Sequence, residues 1–147
     1  MYLTQFSDYS LRVLILAGTY PDRLVTIAEI AEAYQISENH LMKVVHRLAK
    51  IGVLETIRGK GGGLRLAAPP VEINLGAVVR QTENDQPLVE CFDQTSSKCC
   101  IDRACQLKAV LRKAEEAFYA VLDEFTLADM LAHPAQIARF IPLKRSA

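Results

Sequence analysis

The chain has 147 residues, half of them apolar and 23% charged, with a formal net charge of zero. That composition can bury a core, excludes a disordered polymer, and suits one domain carrying a short appendage. No run reaches the ~18 apolar residues of a membrane span, and the opening MYLTQFSDYS lacks the basic and apolar regions of a signal peptide, so a cytoplasmic protein with no membrane partner is expected.

Ser7 and Asp8 open a first predicted helix, in which Leu11, Leu14, Ile15 and Gly18 recur at helical spacing while Val13, Leu16 and Ala17 fill most of the other side. A helix apolar nearly all round should be sandwiched between neighbours. Tyr20-Pro21-Asp22-Arg23 breaks it. Thr26 and Glu29 form a capping box for a second helix with the apolar stripe Ile27, Ile30, Ala31 and Tyr34. Ser37 then caps a third, whose inward face is Leu41, Val44, Val45 and Leu48 and whose left-handed end is Gly52. Two short helices around a turn of about three residues are the helix-turn-helix pattern.

Val53 to Ile57 alternates like a strand, Arg58-Gly59-Lys60-Gly61-Gly62-Gly63 must turn tightly, and Leu64-Arg65-Leu66 alternates again, which predicts a hairpin wing with a basic tip. Pro69-Pro70 stops the hairpin, Asn74 caps a short helix from Leu75 to Gln81, and the polar stretch 81–87 and the cysteine region read as loop. From about Cys105 a long helix carries Leu107, Leu111, Ala114, Phe118, Val121 and Phe125 on one seam, widened by Val110, Ala117 and Leu122. About 20 residues make a rod of ~30 Å, and such a rod on a small head pairs with a partner helix. Thr126 with Asp129 forms another capping box, for a short helix through Leu131. The expected fold class is mainly α (α+β): a winged helix-turn-helix with a two-stranded wing and a long C-terminal dimerisation helix. Residues 1–82 are the expected DNA-binding region, and 83–147 the cysteine-bearing loop, dimerisation helix and tail, within one structural unit.

Zero net charge argues against a nucleic-acid partner, since phosphate neutralisation needs Lys and Arg. The distribution argues the other way. Lys43, Arg47, Lys50, Arg58, Lys60 and Arg65 face one acidic residue, Glu55, within that segment. The candidate reading set is Ser37, Glu38, Asn39, His40, Lys43 and Arg47 on the third helix, with Arg58, Lys60, Gly61 and Gly62 on the wing. Asn can pair bidentately with adenine, Glu can accept from cytosine, and the basic groups can meet guanine or phosphate. A polar helix face is by itself more often merely solvated. The preceding helix, the Ser37 cap and the basic wing together favour DNA. Gly61, Gly62 and Gly63 either permit positive φ or let backbone amides approach phosphate, and both readings can hold. No Lys-Ser/Thr pair follows them, so the segment is not a Walker A loop.

All four cysteines fall between Cys91 and Cys105, as Cys-x7-Cys-x5-Cys plus one extra thiol, Cys100. In a reducing compartment grouped thiols are metal ligands or redox groups more often than disulfides. The spacing is neither that of a zinc ribbon nor that of a ferredoxin. It suits a cluster in an open loop, while zinc and buried or disulfide-forming cysteines stay open. Adjacent Cys99 and Cys100 do not both ligate one small centre without strain. An enzyme is disfavoured, because His40, His46 and His133 are scattered and no Ser/His/Asp arrangement or nucleotide loop is visible. A zinc-stabilised winged-helix interaction module is a further alternative.

LTQFSDYSLRVL at 3–14, ISENHLMKVVHRLAKIGVLETIRGKGGGLRLA at 36–67 and CCIDRACQLK at 99–108 resemble the Rrf-type bacterial winged-helix regulators, and within them the nitric-oxide-sensing repressors, over nearly the whole chain. The resemblance implies a homodimer joined by the long helix, a double-stranded DNA operator, nitric oxide as signal, and an iron–sulfur cluster on Cys91, Cys99 and Cys105. It places Cys99, rather than Cys100, on the motif. The iron–sulfur-assembly regulators of the family carry a histidine three residues after the last cysteine; here that residue is Lys108, whose ammonium cannot ligate iron, so 4Fe-4S is expected over histidine-ligated 2Fe-2S. Regulators of cysteine synthesis generally lack the cysteine loop. In the nitric-oxide-sensing branch a carboxylate from the other subunit can complete the iron site, and the matching residue is Asp8. Its alternatives are a helix N-terminal charge or an ion pair with Arg12 at i+4. Cys100 and the longer gap between Cys91 and Cys99 depart from the pattern.

Overall fold

A computed structural model describes residues 3–83, 87–93, 95 and 97–143. Part of the predicted 81–87 loop, and two positions of the cysteine region, lie outside the described residues. The described chain forms helices α1 (Gln5–Thr19), α2 (Ile27–Tyr34) and α3 (Glu38–Lys50), strands β1 (Leu54–Ile57) and β2 (Gly63–Leu66), then α4 (Leu75–Thr82), α5 (Gln106–Asp123), α6 (Leu127–Met130) and α7 (Pro134–Phe140). Among the described residues no helix is long and apolar enough to cross a membrane.

The sandwiched helix is α1, which touches α3, α4, β2, α6 and α7. Its Val13, Leu14, Leu16 and Ala17 are buried in one core with Ile30, Leu41, Val44, Leu48, Leu54 and Leu64. Each such large aliphatic side chain contributes roughly 1.5–3 kcal/mol of burial. The helix starts earlier than its apolar pattern suggests: Thr4 is the N-cap and accepts from the Ser7 N–H. Ser7 is instead buried, its hydroxyl 2.8 Å from that of Thr82 on α4. A buried hydroxyl needs a partner, and a hydroxyl on another helix supplies it here.

The capping box predicted for α2 is present, with the Thr26 hydroxyl accepting from the Glu29 N–H and the Glu29 carboxylate accepting from the Thr26 N–H. Gln35, left-handed at φ +55°, turns the chain into Ser37, which caps α3 by accepting from the His40 N–H. Leu41, Val44, Val45 and Leu48 are all buried as predicted, and Gly52, at φ +82°, ends the turn after α3.

The wing is an antiparallel pair in the register Leu54↔Leu66, Glu55↔Arg65, Thr56↔Leu64 and Ile57↔Gly63. Leu54 and Leu64 point into the core, and their alternation fixes the solvent face. Gly61 has positive φ, +77°, as predicted, but Gly62 and Gly63 do not. A side chain at Gly62 would collide with the Ile57 carbonyl, and one at Gly63 with the Val25 carbonyl. Close approach of backbone, rather than handedness, makes those two positions glycine.

Asn74 caps α4 by accepting from the Ala77 N–H at 2.9 Å, and α4 packs on both α1 and α5. At its far end α5 is fastened to α4 by a two-pronged Arg80–Asp123 pair at 2.6 and 2.7 Å. Phe125, predicted on the α5 seam, lies beyond the helix end, where its carbonyl accepts from the Leu75 N–H. The Asp129 carboxylate accepts from the Thr126 N–H, forming the second capping box at the start of α6. His133 stands just before α7, which Pro134 opens and which packs on α1.

Candidate DNA-reading face and thiol loop

At the start of α3, Ser37, Glu38, Asn39, Lys43 and His46 are exposed, so the side chains that can reach base edges stand clear of the core. His40 is different. Its ring packs edge-on against Tyr9 of α1, with centroids 4.9 Å apart. Arg47 is half-buried, and its guanidinium donates through Nε and Nη2 to the Gln81 carbonyl at 2.9 and 2.8 Å. The Gln81 carbonyl lies in the last turn of α4, where unpaired carbonyls and the helix dipole attract cations. The cation expected on phosphate is therefore engaged within the chain.

On the wing, Arg58 and Lys60 are exposed at the tip, while the Gly62 N–H is turned inward onto the Gly59 carbonyl at 3.0 Å. Arg65 is paired with Glu55 at 2.8 Å across the two strands. Of the six clustered cations, Arg47 and Arg65 thus have partners in the fold, and Lys43, Lys50, Arg58 and Lys60 are exposed.

Asp8 lies in the first turn of α1, and Arg12 grips it with two bonds, 2.7 and 3.1 Å. The Arg12 guanidinium also sits over the rings of Tyr9 and Tyr34, at 5.8 and 5.7 Å. Both alternatives for Asp8, a charge in the first turn of a helix and an ion pair at i+4, are present in the single chain. The Tyr34 phenol is pushed above its ordinary pKa by burial.

All four cysteines are free thiols; Cys91 and Cys105 are half-buried, and Cys99 and Cys100 exposed. Cys91, Cys99 and Cys100 line one cleft of about 480 Å³, together with Asp93, Ser97, Asp102, Arg103 and Lys108. Cys105 stands at the N-cap of α5 and makes no side-chain capping bond. The chain between them is not featureless. The Glu90 carboxylate accepts from the Lys98 N–H at 2.8 Å, Asp93 closes a turn on Thr95, and residues 90–92 and 102–104 form single 3₁₀ turns. Lys108 is bound to Asp102 at 2.6 Å, which keeps its amine as an ion-pair donor. Among the described residues no three Cys, His, Asp or Glu side chains are drawn into a metal-ligating arrangement. The donor set itself, three thiols lining one cleft and a fourth at the start of α5, has the sulfur chemistry of a thiolate-bound iron centre.

Sequence reasoning missed Glu90, Phe92, Asp102, Gln81 and Arg112 as parts of this site. Glu90 and Phe92 flank Cys91, which was the one local signal available; the partners of the others are set by packing.

A helix-turn-helix with an exposed polar reading helix and a basic two-stranded wing defines a winged-helix DNA-binding transcription regulator. The chain belongs to the Rrf2 family, described as iron-dependent transcriptional regulators, whose profile matches residues 3–133. Among its relatives, the HTH-type transcriptional regulator NsrR of Bacillus subtilis is 51% identical, over 98% of this chain and 99% of that protein. That of Oceanobacillus iheyensis is 47% identical over 99% of each. Of solved structures, IscR of T. potens superposes with a TM-score of 0.72 at 28% identity, covering 92% of this chain and 91% of that one. CymR of B. subtilis, a global cysteine regulator, shares the fold, with a TM-score of 0.67 at 24% identity over 90% of this chain and 98% of that one.

Proposed function

We propose that this chain is a cytoplasmic transcriptional repressor whose grip on its DNA operator is set by an iron–sulfur cluster and released by nitric oxide. The observation that carries the reading is the thiol loop: Cys91 and Cys99 open onto one cleft and Cys105 heads α5. Cys91, Cys99 and Cys105 would hold the cluster, 4Fe-4S in preference to 2Fe-2S because Lys108 is committed to Asp102. Asp8 of the partner subunit would complete the iron site with an oxygen, a harder donor than thiolate. When bound, such a cluster supplies iron that nitric oxide can attack.

The protein's own part is mechanical. The cysteine loop departs from the end of α4, whose Gln81 carbonyl holds Arg47 of α3 and whose Thr82 hydroxyl meets Ser7 of α1. A shift at the root of the loop is thereby felt by the reading helix through bonds already made. The chain acts as a homodimer through α5, on which Leu107, Val110 and Val121 are 61, 62 and 56% exposed and no residue is buried. An apolar seam left open along a helix of 18 residues, about 27 Å, is what a second copy would cover. Two reading helices in a dimer address half-sites one or more helical turns apart.

The test is anaerobic purification followed by visible absorption and operator binding, before and after a nitric oxide donor. Brown protein that binds DNA and releases it on titration is expected. Colourless, zinc-containing protein, or operator binding indifferent to nitric oxide, overturns the reading.

A further inference from the structure

Two cations on one face of α5 reach the two arms of the cysteine loop. Lys108 bonds Asp102 at 2.6 Å, and these residues lie three positions either side of Cys105. Arg112, one turn further along the same face, stands with its guanidinium carbon 4.9 Å from the centre of the Phe92 ring, next to Cys91. A third tie, from the Lys98 N–H to the Glu90 carboxylate, joins the residue before Cys99 to the residue before Cys91.

We infer that Lys108 and Arg112 are positioning residues that hold the thiols of Cys105 and Cys91 in place before any cofactor arrives. The inference rests on the proposed thiol set. A loop spanning residues 91–105 has a large conformational entropy, and two anchors on one rigid helix remove much of it from the search that ligation would otherwise require. Lys108 has the more confined contact, since both it and Asp102 are partly shielded, with side-chain exposures of 24 and 35%. Arg112 is exposed, and its stacking fixes the direction of Phe92 more than it adds to stability. The position that the resemblance associates with a ligating histidine in assembly regulators thus has a different task here: the amine organises the loop and stays off the metal.

Site-resolved alkylation of the cluster-free, full-length protein by iodoacetamide, read by mass spectrometry at each cysteine, tests this. Lys108→Met and Asp102→Asn should both speed modification of Cys105, by about two- to fivefold, and affect Cys91, which shares their cleft, less. Charge alone would move those two variants in opposite directions, because one removes a cation and the other an anion near the thiol. Phe92→Leu and Arg112→Ala should speed modification of Cys91 by a similar factor and spare Cys105, with Arg112→Lys restoring the slow rate in part. Arm-selective rates support the inference. Equal acceleration at both cysteines, opposite signs for Lys108→Met and Asp102→Asn, or no change overturns it. Colour of the unaltered protein purified anaerobically reports separately on the cluster, so loss of that reading is distinguishable from loss of this one.

Discussion

Arg47 and Gln81 join the reading helix to the root of the thiol loop: two guanidinium N–H groups donate to one carbonyl oxygen, at 2.9 and 2.8 Å. If this link transmits loop position, Arg47→Ala should lower operator affinity by about tenfold, equivalent to ~1.4 kcal/mol, while leaving the salt dependence of binding as it was. A phosphate contact behaves otherwise, because its loss reduces the salt slope by about one. Fluorescence anisotropy at several salt concentrations separates the two.

Arg58 and Lys60 at the wing tip should show that second behaviour. Arg58→Ala and Lys60→Ala are each expected to weaken binding to all sequences about equally and to lower the salt slope by about one. Arg65→Ala should do less, since Arg65 already faces Glu55 across the wing at 2.8 Å. A change of sequence preference in the tip variants would count against a backbone contact.

Asn39 is exposed at the start of α3. Asn39→Ala should relax discrimination at one or two positions of each half-site, at a cost of ~1–3 kcal/mol for the preferred base. Binding selection on randomised operators measures this directly, and an unchanged profile removes Asn39 from the reading set.

The four thiols should divide three to one. Replacing Cys91, Cys99 or Cys105 by Ala is expected to abolish cluster retention and specific operator binding, whereas Cys100→Ala keeps both. Asp8→Ala should be intermediate, because water replaces a carboxylate more readily than anything replaces a thiolate. Retention in Cys99→Ala with loss in Cys100→Ala would reverse the assignment, and Cys100 is a credible substitute because it lines the same cleft.

Acid should loosen α5 from α4. The hydrogen bonds from Arg80 hold the Asp123 carboxyl below the ordinary carboxylate range. A carboxyl with a depressed folded pKa adds stability above its unfolded value, near pH 4, and loses that contribution as pH falls through the folded value. Glu29 behaves likewise: burial raises its pKa, but the bonds from Thr26 and Arg23 together outweigh it and leave the carboxyl lowered. Thermal unfolding between pH 6 and pH 3 should therefore show a falling midpoint that is shallower in Asp123→Asn. Identical slopes in both proteins would assign the acid sensitivity elsewhere.

The local grammar of this chain was legible without any structure. Thr26 with Glu29, Ser37, Asn74, and Thr126 with Asp129 each cap the helix they were expected to cap, because a cap needs only a polar side chain and N–H groups two or three residues away. The inward face of α3 and the alternation of the wing were equally readable, since periodicity states which side of an element is apolar. Periodicity says nothing about which polar group on another element will face it. Ser7, which opens the predicted helix, is bound to Thr82 seventy-five residues away; Arg47, in the candidate reading set, holds Gln81; and Arg65, one of the clustered cations, meets Glu55. The thiols could be found from their spacing, and the braces around them could not. Arg112 meets Phe92 only once α5 has folded back beside the chain that follows α4, and Lys108 meets Asp102 only because the turn at 102–104 brings the carboxylate back to the first turn of α5. A side chain's own identity selects the chemistry it can do. The packing of distant elements selects the partner with which it does it.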